Sequence, residues 1–429
     1  MTKTRTLDAV GSGFGRRGFL SLGISSLAMA LTDRFEGSGD ARADGLPLGQ
    51  AKSCVVLWLN GGPSHIDTFD PKPGAKTAGP TKGIKTAAAG IQISEHLPML
   101  AARANHIAFL RGMTSKEGNH QRAQEFGRTG HQPNPTVHAP SIGSWIAKYQ
   151  TRPGLELPPF VSLGGTSYGA GFLGKEYDPL AISAPGNPPD DMVPFQPLSD
   201  ARDARRRAVL AELEAGFAQR SGDGQVHTRD AIMDRATKMM RSKQASAFSI
   251  DSEPDSVKEA YGDTPFGRGC LTARRLVETG VPFVEVTLDG WDTHKDNFNK
   301  TEKLMGTLDP AAATLLDELD KRGLLATTLI VCAGDFGRTP DINDNEGRDH
   351  YPGAWSAFLA GAGVRGGIAH GETDGEGRKV VKDATTVPDL IATVANRMGL
   401  DPATVERSPA GRPIAVTDGG NVIQAVLQS

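Results

Sequence analysis

One short segment carries several side chains that could bind a metal ion. Residues 288–297 read LDGWDTHKDN and contain Asp289, Asp292, His294 and Asp296, directly after the apolar, β-branched run VPFVEVT. Carboxylates and an imidazole at the end of a buried strand can bind a divalent cation, or they can form a salt-bridged loop. Trp291 is expected to pack this loop against the protein. The segment alone leaves both interpretations open.

Similar clusters follow other predicted strands. The run SCVVLWL is followed by NGGPSHIDTFD, the predicted strand in ATTLIVCAGDFGR has an acidic end, and EGRDHYP comes shortly afterwards. Because the loops beyond the carboxyl ends of strands converge in open α/β sheets, we expect these clusters to lie together. The clustered residues are Asn60, His65, Asp67 and Asp70; Asp289, Asp292 and His294; Asp335 and Arg338; and Asp349 and His350.

The residue types in these clusters favour metal-assisted chemistry. Mixed aspartate and histidine ligands suit zinc, manganese or a similar divalent ion, one or two per chain. Two such ions can hold the attacking and leaving oxygens of a phosphate or sulfate ester. A single loop aspartate more often caps a helix or a turn, and that structural role is favoured for Asp70, Asp296 and Asp349.

The surrounding elements predict the fold that positions these residues. The helix RGCLTARRLVETG precedes the strand VPFVEVTL, and a helix with Leu308, Leu315 and Leu319 at helical spacing follows it. Two-sided apolar strands joined by helices indicate an α/β fold with a mainly parallel central sheet and helices on both faces. We expect residues 44–429 to form one such domain, with a loop-rich excursion at about 165–198.

Composition and charge exclude a nucleic-acid-binding protein. The chain has 429 residues, of which 23% are charged, and its formal net charge is -3. No stripe of lysine or arginine indicates a nucleic-acid partner. Three cysteines are present, and Cys54 and Cys332 lie in apolar runs, so buried thiols are expected rather than a disulfide framework.

The first 43 residues are predicted to be an export signal. Arg16 and Arg17 precede a modest apolar run, and the sequence ARA at residues 41–43 offers small residues for cleavage. This pattern resembles a twin-arginine signal, which the bacterial export machinery recognises. The alternative is an N-terminal extension with a chance arginine pair. Export predicts a periplasmic or extracellular location without a stable membrane span, because the apolar run is shorter than the roughly 20 residues that a bilayer requires.

Four stretches together resemble the alkaline phosphatase superfamily, which includes sulfatases and cofactor-independent phosphoglycerate mutases. They are LWLNGGPSHIDTFDPKP, GWDTHKDNF, CAGDFGRTP and GRDHYP, and the resemblance spans roughly residues 53–415. More closely, the chain resembles a family of exported, sulfatase-like bacterial proteins of unknown function. The resemblance implies an alkaline-phosphatase-like or sulfatase-like α/β fold for the mature chain.

The resemblance also implies a set of metal ligands, with two departures. The residues at the matching positions are Asp289 or Asp292 with His294, then Asp335, and finally His350. Asn60 stands where a first metal-binding aspartate is expected, and Phe336 stands where a histidine should follow Asp335. Each change removes one ligand of the superfamily pattern. The hypothesis is that His65 and Asp67, which lie nearby in sequence, replace the missing ligands.

The segment MTSKEGNHQRAQEFGRTG resembles the region that holds the nucleophile in the superfamily. The sulfatase-like alignment reaches His120, and the mutase-like alignment reaches Ser115. Neither Cys-x-Pro-x-Arg nor Ser-x-Pro-x-Arg occurs in the chain, so a sulfatase of the formylglycine type is disfavoured. The hypothesis is that Ser115 or a water held by the metal attacks, and that His120 is a general acid or a metal ligand.

Three function hypotheses remain at this point. The first is an exported metal-dependent hydrolase of small or polymeric phosphate or sulfate esters, with Asn60, Arg338 and Arg348 binding the substrate's anionic group. An ordinary ion pair is the alternative role for each arginine. The second is a non-catalytic binding or scaffold protein that retains the fold and binds one metal or none. The third is a partner that assembles with a cell-surface protein through the 165–198 segment.

Overall fold

The computed structural model describes most of the chain beyond its N-terminus. The described residues are 48–189 apart from 50, 151 and 166, scattered positions within 201–212, and 224–428. The predicted export signal at residues 1–43 lies outside them. None of the helices built from these residues combines the length and the apolar character needed to cross a bilayer.

Strands dominate the centre of the described region. In chain order they are β1 (Ser53–Leu59), β2 (Gly83–Lys85), β3 (Gln92–Ser94), β4 (Ile107–Thr114), β5 (Phe160–Leu163), β6 (Leu180–Ile182), β7 (Phe283–Leu288), β8 (Thr328–Gly334), β9 (Gly337–Arg338), β10 (His350–Tyr351), β11 (Trp355–Ala360), β12 (Ile368–His370), β13 (Glu372–Thr373), β14 (Val380–Lys382), β15 (Thr385–Thr386), β16 (Val405–Arg407) and β17 (Pro413–Ala415).

The helices surround these strands, and several have the capping residues that a stable helix end requires. In chain order they are α1 (Pro98–Ala102), α2 (His120–Thr129), α3 (Ile142–Tyr149), α4 (Gly224–Arg241), α5 (Asp255–Tyr261), α6 (Pro265–Thr279), α7 (Asn297–Lys321) and α8 (Val387–Arg397). For α2, the side chain of Asn119 accepts a hydrogen bond from the first turn, and Gly130 ends the helix at a φ of 68°. The sequence of α2 thus contains a signal for each of its two ends.

Nine of the described strands form one sheet in the order β12-β4-β11-β8-β1-β7-β5-β6, with β15 also paired to β4. In the middle, β1 pairs in parallel with both β7 and β8. The exception is β11, which runs antiparallel to β8 and β4. The predicted α/β fold with a mainly parallel sheet is therefore confirmed.

Helices cover both faces of the sheet, because alternate side chains of each strand point to opposite sides. On one face, Val55 and Leu57 join a core cluster that includes Leu308 and Leu315 of α7. On the other face, Trp58 packs against α2, where the guanidinium of Arg128 lies 3.9 Å from the centre of the indole ring. Both faces are thus closed to water, which confirms the predicted layering.

The carboxyl ends of the parallel strands meet at one edge of this sheet. Asn60 follows β1, Ser115 follows β4, Asp289 follows β7 and Asp335 follows β8. Loops at this edge carry polar side chains that the buried strands themselves cannot accommodate. The fold therefore brings the predicted clusters to a common edge.

The segment predicted as a loop-rich excursion contributes to the sheet. Its described residues, 165 and 167–189, contain the short 3-10 turns Gly171–Leu173 and Lys175–Tyr177. They also contain β6, which pairs in parallel with β5 and forms the edge of the sheet. Part of the excursion is therefore an ordered edge strand with its own connections.

Candidate functional site

One carboxylate oxygen lies at the centre of the polar side chains at this edge. Oδ1 of Asp292 is 3.3 Å from Nε2 of His120, 3.1 Å from Nε2 of His294 and 3.4 Å from Nε2 of His350. Nη2 of Arg338 donates a 2.6 Å hydrogen bond to the same oxygen. Three imidazoles from separate segments of the chain thus present the same ring nitrogen to one point.

The other ring nitrogen of each histidine is already engaged. Nδ1 of His120 lies 2.7 Å from Oδ2 of Asp335, and Nδ1 of His294 lies 2.7 Å from Oδ1 of Asp349. Nδ1 of His350 lies 2.7 Å from the carbonyl oxygen of Gly118. A carbonyl or an ionised carboxylate only accepts hydrogen bonds, so each Nδ1 must carry the proton. A neutral imidazole then presents an unprotonated Nε2.

This arrangement favours a bound cation. The guanidinium of Arg338 compensates part of the charge of Asp292, and a cation bound among the three histidines would also provide a partner for each Nε2 atom in its unprotonated form. Nε2 of His120 is buried and has no hydrogen-bond partner among the described residues, and the same holds for Oδ1 of Asp335. Imidazoles whose Nδ1 is fixed by a carboxylate or a carbonyl are also the usual form of histidine ligands to metals.

The described residues contain one compact group that could hold a metal ion. It consists of His120, Asp292 and His350, whose ligand atoms all lie within 4.8 Å of one another. At bond lengths near 2.0–2.1 Å, neighbouring ligands of a tetrahedral zinc ion are about 3.3 Å apart. The distances of 3.3 and 3.4 Å from Asp292 to His120 and His350 match that spacing. His294 contacts the same oxygen but lies outside the compact group.

Backbone geometry holds Asp292 in place. Gly61, in the loop after β1, has a φ of 111°, and a Cβ at this position would lie 2.4 Å from the backbone nitrogen of Asp292. Only glycine allows the two loops to approach this closely. Trp291 is 1% exposed and packs in the core beneath the loop, as the sequence predicted. The contact of Asp292 with Gly61 and the burial of Trp291 therefore fix the position of the β7–α7 loop.

Phe336 has a packing role at the position where the resemblance leads one to expect a histidine. Its ring stacks on His120 with centroids 4.9 Å apart and lies 4.9 Å from the ring of His350. The side chain is fully buried. An aromatic wall thus replaces a potential ligand, and His120, from the start of α2, is the histidine that pairs with Asp335.

Charges within the site shift the pKa values of its members. Partial burial acts to raise the pKa of Asp292, but the hydrogen bond and charge of Arg338, together with His120, outweigh it and lower the pKa to about 2. Burial acts to lower the pKa of His120, but Asp335 and Asp292 outweigh it and raise the pKa. Burial, with the positive charge of Arg338, lowers the pKa of His350. His350 is thus favoured as a neutral ligand.

Arg338 makes its hydrogen bonds within the protein. Its side chain is fully buried, and Nε donates to the carbonyl oxygen of Gly62 at 2.9 Å. Its other donors contact Gly61, Arg348 and Asp292. The guanidinium therefore fixes Asp292 and the loop after β1.

Four residues that the sequence analysis assigned to the site pair with each other outside the compact group: Asn60 with Asp289, and Asp67 with Arg348. Nδ2 of Asn60 donates a 2.6 Å hydrogen bond to Asp289, and Oδ1 of Asn60 accepts one from Gln124. Arg348 and Asp67 form a fully buried ion pair, with Nε 2.7 Å from Oδ2 of Asp67. Asn60 and Asp289 thus bind each other beside the compact group, and Asp67 pairs with an arginine.

The donors of Arg348 are all used within the protein. Besides Asp67, its guanidinium contacts the carbonyl oxygens of Thr77, Thr339 and Pro340. All five N–H groups of the side chain have an acceptor. Arg348 therefore joins three loops beneath the site.

His65 and Ser115 also make local contacts. Nε2 of buried His65 lies 2.8 Å from the carbonyl oxygen of Gly377, and burial lowers its pKa. The hydroxyl of Ser115 contacts the carbonyl oxygen of Glu117 at 3.4 Å and accepts from its N–H at 3.2 Å. The structure does not bring His65 into the compact group.

The sequence interpretation missed the part that Asp349 plays in the site. A structural cap was favoured for this residue, but its Oδ1 holds Nδ1 of His294 and also accepts from Asn343 at 3.2 Å. Its position directly before His350 was the only available signal. The contact to His294, 55 residues away in the chain, could not be read from local spacing.

Three solved structures show low similarity to this chain. Lipoteichoic acid synthase LtaP from Listeria monocytogenes is 10% identical, with a TM-score of 0.39, and covers 86% of this chain and 76% of its own. A protein in the alkaline phosphatase superfamily from Vibrio parahaemolyticus is 11% identical, with a TM-score of 0.37 and coverages of 85% and 72%. The C-terminal periplasmic domain of EcEptC from Escherichia coli, in complex with Zn, is 10% identical, with a TM-score of 0.38 and coverages of 82% and 86%. Similarity at this level does not establish a shared activity.

A family model gives a match over nearly the whole described region. No curated protein matches the chain. The model of DUF1501, described as a protein of unknown function, matches residues 51–427. This range contains every residue of the candidate site and confirms the predicted resemblance to a family of unknown function. The chain belongs to the DUF1501 family.

Proposed function

We propose that this protein is an exported hydrolase of phosphate or sulfate esters that uses one divalent metal ion, held by His120, Asp292 and His350. The observation that carries the proposal is the convergence of Nε2 atoms on Oδ1 of Asp292 at 3.1–3.4 Å. Nitrogen and oxygen ligands of this kind suit zinc or manganese. When bound, such an ion would polarise an oxygen of the ester group.

The surrounding residues support a positioning role rather than direct substrate contact. Arg338 holds the central carboxylate, and Asp335 holds the ring of His120 in the tautomer that a ligand requires. Because the donors of Arg338 and Arg348 are already used, we assign both arginines to the support of the site. The side chain of Asp292 is 49% exposed, so a substrate can reach this carboxylate from solvent.

We assign the attack to water and the proton transfer to His294. Its Nδ1 is hydrogen-bonded to Asp349, and its Nε2 lies at the edge of the compact group, 3.1 Å from Asp292. An unprotonated Nε2 takes the proton from the attacking water as the water oxygen bonds to the phosphorus or sulfur atom, and the charge of Asp349 stabilises the resulting imidazolium. The ester bond to the alcohol oxygen breaks, and this oxygen leaves with the bonding pair and takes a proton from solvent. Ser115 is the weaker candidate for the attack, because its hydroxyl is bound to the backbone of Glu117.

The first experiment is elemental analysis of the protein purified without chelators, followed by assays with p-nitrophenyl phosphate and p-nitrophenyl sulfate. We expect one metal per chain, its loss in His350→Ala, and turnover that stops when the metal is removed. The matched control is His106→Ala, which removes an exposed histidine outside the site. A metal-free protein would refute the proposal. Metal retained by the protein without turnover of any ester would support the non-catalytic binding protein instead.

Export rests on the arginine pair at Arg16 and Arg17, which lies outside the described residues. We propose that the twin-arginine machinery delivers the folded protein to the periplasm or the exterior. Replacing both arginines by lysine should retain the protein in the cytoplasm, as judged by fractionation. Unchanged export of that variant would exclude this route.

A further inference from the structure

A polar cavity lies beside β4 and the β13–β14 hairpin. Its volume is about 360 Å³. We call it the edge cavity, and the charged residues of its lining are Asp70, Lys72, Arg111, Glu372, Lys382 and Asp383. None of the members of the compact metal-binding group lines it. Its volume falls at the lower end of the range of roughly 300–1,000 Å³ that is usual for small-molecule sites.

One end of the edge cavity carries two cations around one carboxylate. Lys72 Nζ lies 3.0 Å from Oδ1 and 2.9 Å from Oδ2 of Asp70, and Thr373 Oγ1 donates a 2.6 Å hydrogen bond to Oδ2. Arg111 Nη1 is farther away, 3.5 Å from Oδ1. Asp70 is therefore neutralised and hydrogen-bonded without Arg111. The charge of Arg111 is left as an excess positive charge at this end.

Arg111 is also incompletely paired. Its side chain is 16% exposed, and Nη2 donates to the carbonyl oxygen of Gln92. Nε is buried and has no hydrogen-bond partner among the described residues. A buried donor without an acceptor is costly, and the cost is larger for a charged group. A ligand oxygen that accepts from this guanidinium would remove that cost.

The opposite wall of the edge cavity carries one cation, Lys382, and two carboxylates, Glu372 and Asp383. Glu372 and Lys382 are partners in the register of the β13–β14 hairpin, where opposite charges compensate each other. Asp383 follows with a φ of 47°. The charged side chains of the whole lining therefore balance, and an excess positive charge exists only at the β4 end, at Arg111.

We infer that the edge cavity binds a small ligand through a carboxylate or phosphate group that accepts hydrogen bonds from Arg111 and Lys72. Guanidinium donors match both groups in pairs, and Lys72, whose charge is compensated by Asp70, can donate a further N–H to the same ligand group. Burial lowers the pKa of Arg111 despite the nearby charge of Asp70, which agrees with a guanidinium that lacks full compensation. The inference does not depend on the proposed hydrolysis, since the edge cavity has its own residues.

Calorimetric titration of the full chain with inorganic phosphate and, separately, with succinate tests the inference. The background variant is Asp292→Asn in metal-free buffer, so that binding at the candidate metal site does not contribute. We expect saturable binding of at least one of the two anions at one site per chain. Adding Arg111→Met should weaken that binding about tenfold or more, as expected when charge-assisted hydrogen bonds are lost. The anion that binds more tightly identifies the ligand group.

Two further variants make the result decisive. Arg111→Lys keeps the charge but loses the planar fork and should weaken binding to an intermediate degree. Arg103→Met removes an arginine that pairs with Asp317 elsewhere and should leave binding unchanged. Thermal melting of each variant verifies folding. Failure of both anions to bind, or equal binding in the Arg111 and Arg103 variants, would overturn the inference.

Discussion

Asp335→Asn is the change that we expect to weaken metal binding most without removing a ligand. Asn keeps an acceptor oxygen for Nδ1 of His120 but loses the negative charge that lies 2.7 Å from the ring. Asp335 is 1% exposed, so solvent does not screen this charge. Removal of such a partner typically weakens metal binding by about 10–100-fold, and we expect this buried position near the upper limit, about 2.7 kcal/mol.

Asp349→Asn provides the internal comparison. Asp349 holds His294 at the same distance of 2.7 Å, but its side chain is 55% exposed. His294 also lies outside the compact group of ligands. We therefore expect a loss of about tenfold or less, because solvent screens the charge and the ring is not a required ligand.

Competition with a chromogenic zinc chelator at fixed pH and salt measures both variants. Asp341→Asn is the control, since this aspartate pairs with Arg378 and its side chain is 69% exposed. It should bind metal as tightly as the unmodified protein. Unchanged affinity of Asp335→Asn, or a larger loss in Asp349→Asn than in Asp335→Asn, would refute the assignment of His120 as a ligand.

Two further predictions concern ion pairs within the protein. Asp67→Asn and Arg348→Met should each lower the free energy of unfolding by about 3–5 kcal/mol in urea titrations, since each leaves a buried partner uncompensated. The double variant should recover part of this loss. Losses of unfolding free energy that simply add in the double variant would contradict direct pairing. Burial acts to raise the pKa of Glu253, but the hydrogen bonds and charges of Arg274 and Arg275 outweigh burial and lower the pKa below its ordinary value of 4.5. Glu253→Gln should therefore destabilise the protein at neutral pH, and the difference should shrink as pH falls below about 4.5; a difference that stays constant with pH would exclude this ion pair as the cause.

The sheet and its layering could be predicted because hydrophobic periodicity reports burial directly. The stripe of Leu308, Leu315 and Leu319 is buried in α7, and SCVVLWL is a fully buried central strand. The edge at which the site would form followed from the carboxyl ends of these strands. These features depend on local patterns, which a single sequence contains.

The inner arrangement of the site could be predicted only in part. Asp292 and Asp289 are three residues apart and chemically identical, yet Asp292 faces the histidines and Asp289 pairs with Asn60. What separates them is the close approach of Gly61 to Asp292, a contact between two distant loops. The packing of Phe336 against His120 is equally non-local. Spacing along the chain contains no information on such contacts.

The wide separation of the site's partners along the chain has a consequence for the order of folding. His120 pairs with a residue 215 positions later, and Asp67 with one 281 positions later. Contacts this distant in sequence form slowly, because a long loop must close before they contribute. During synthesis the site cannot assemble until His350 has left the ribosome, when most of the chain is already present. Completion of the site is thus a late event in folding.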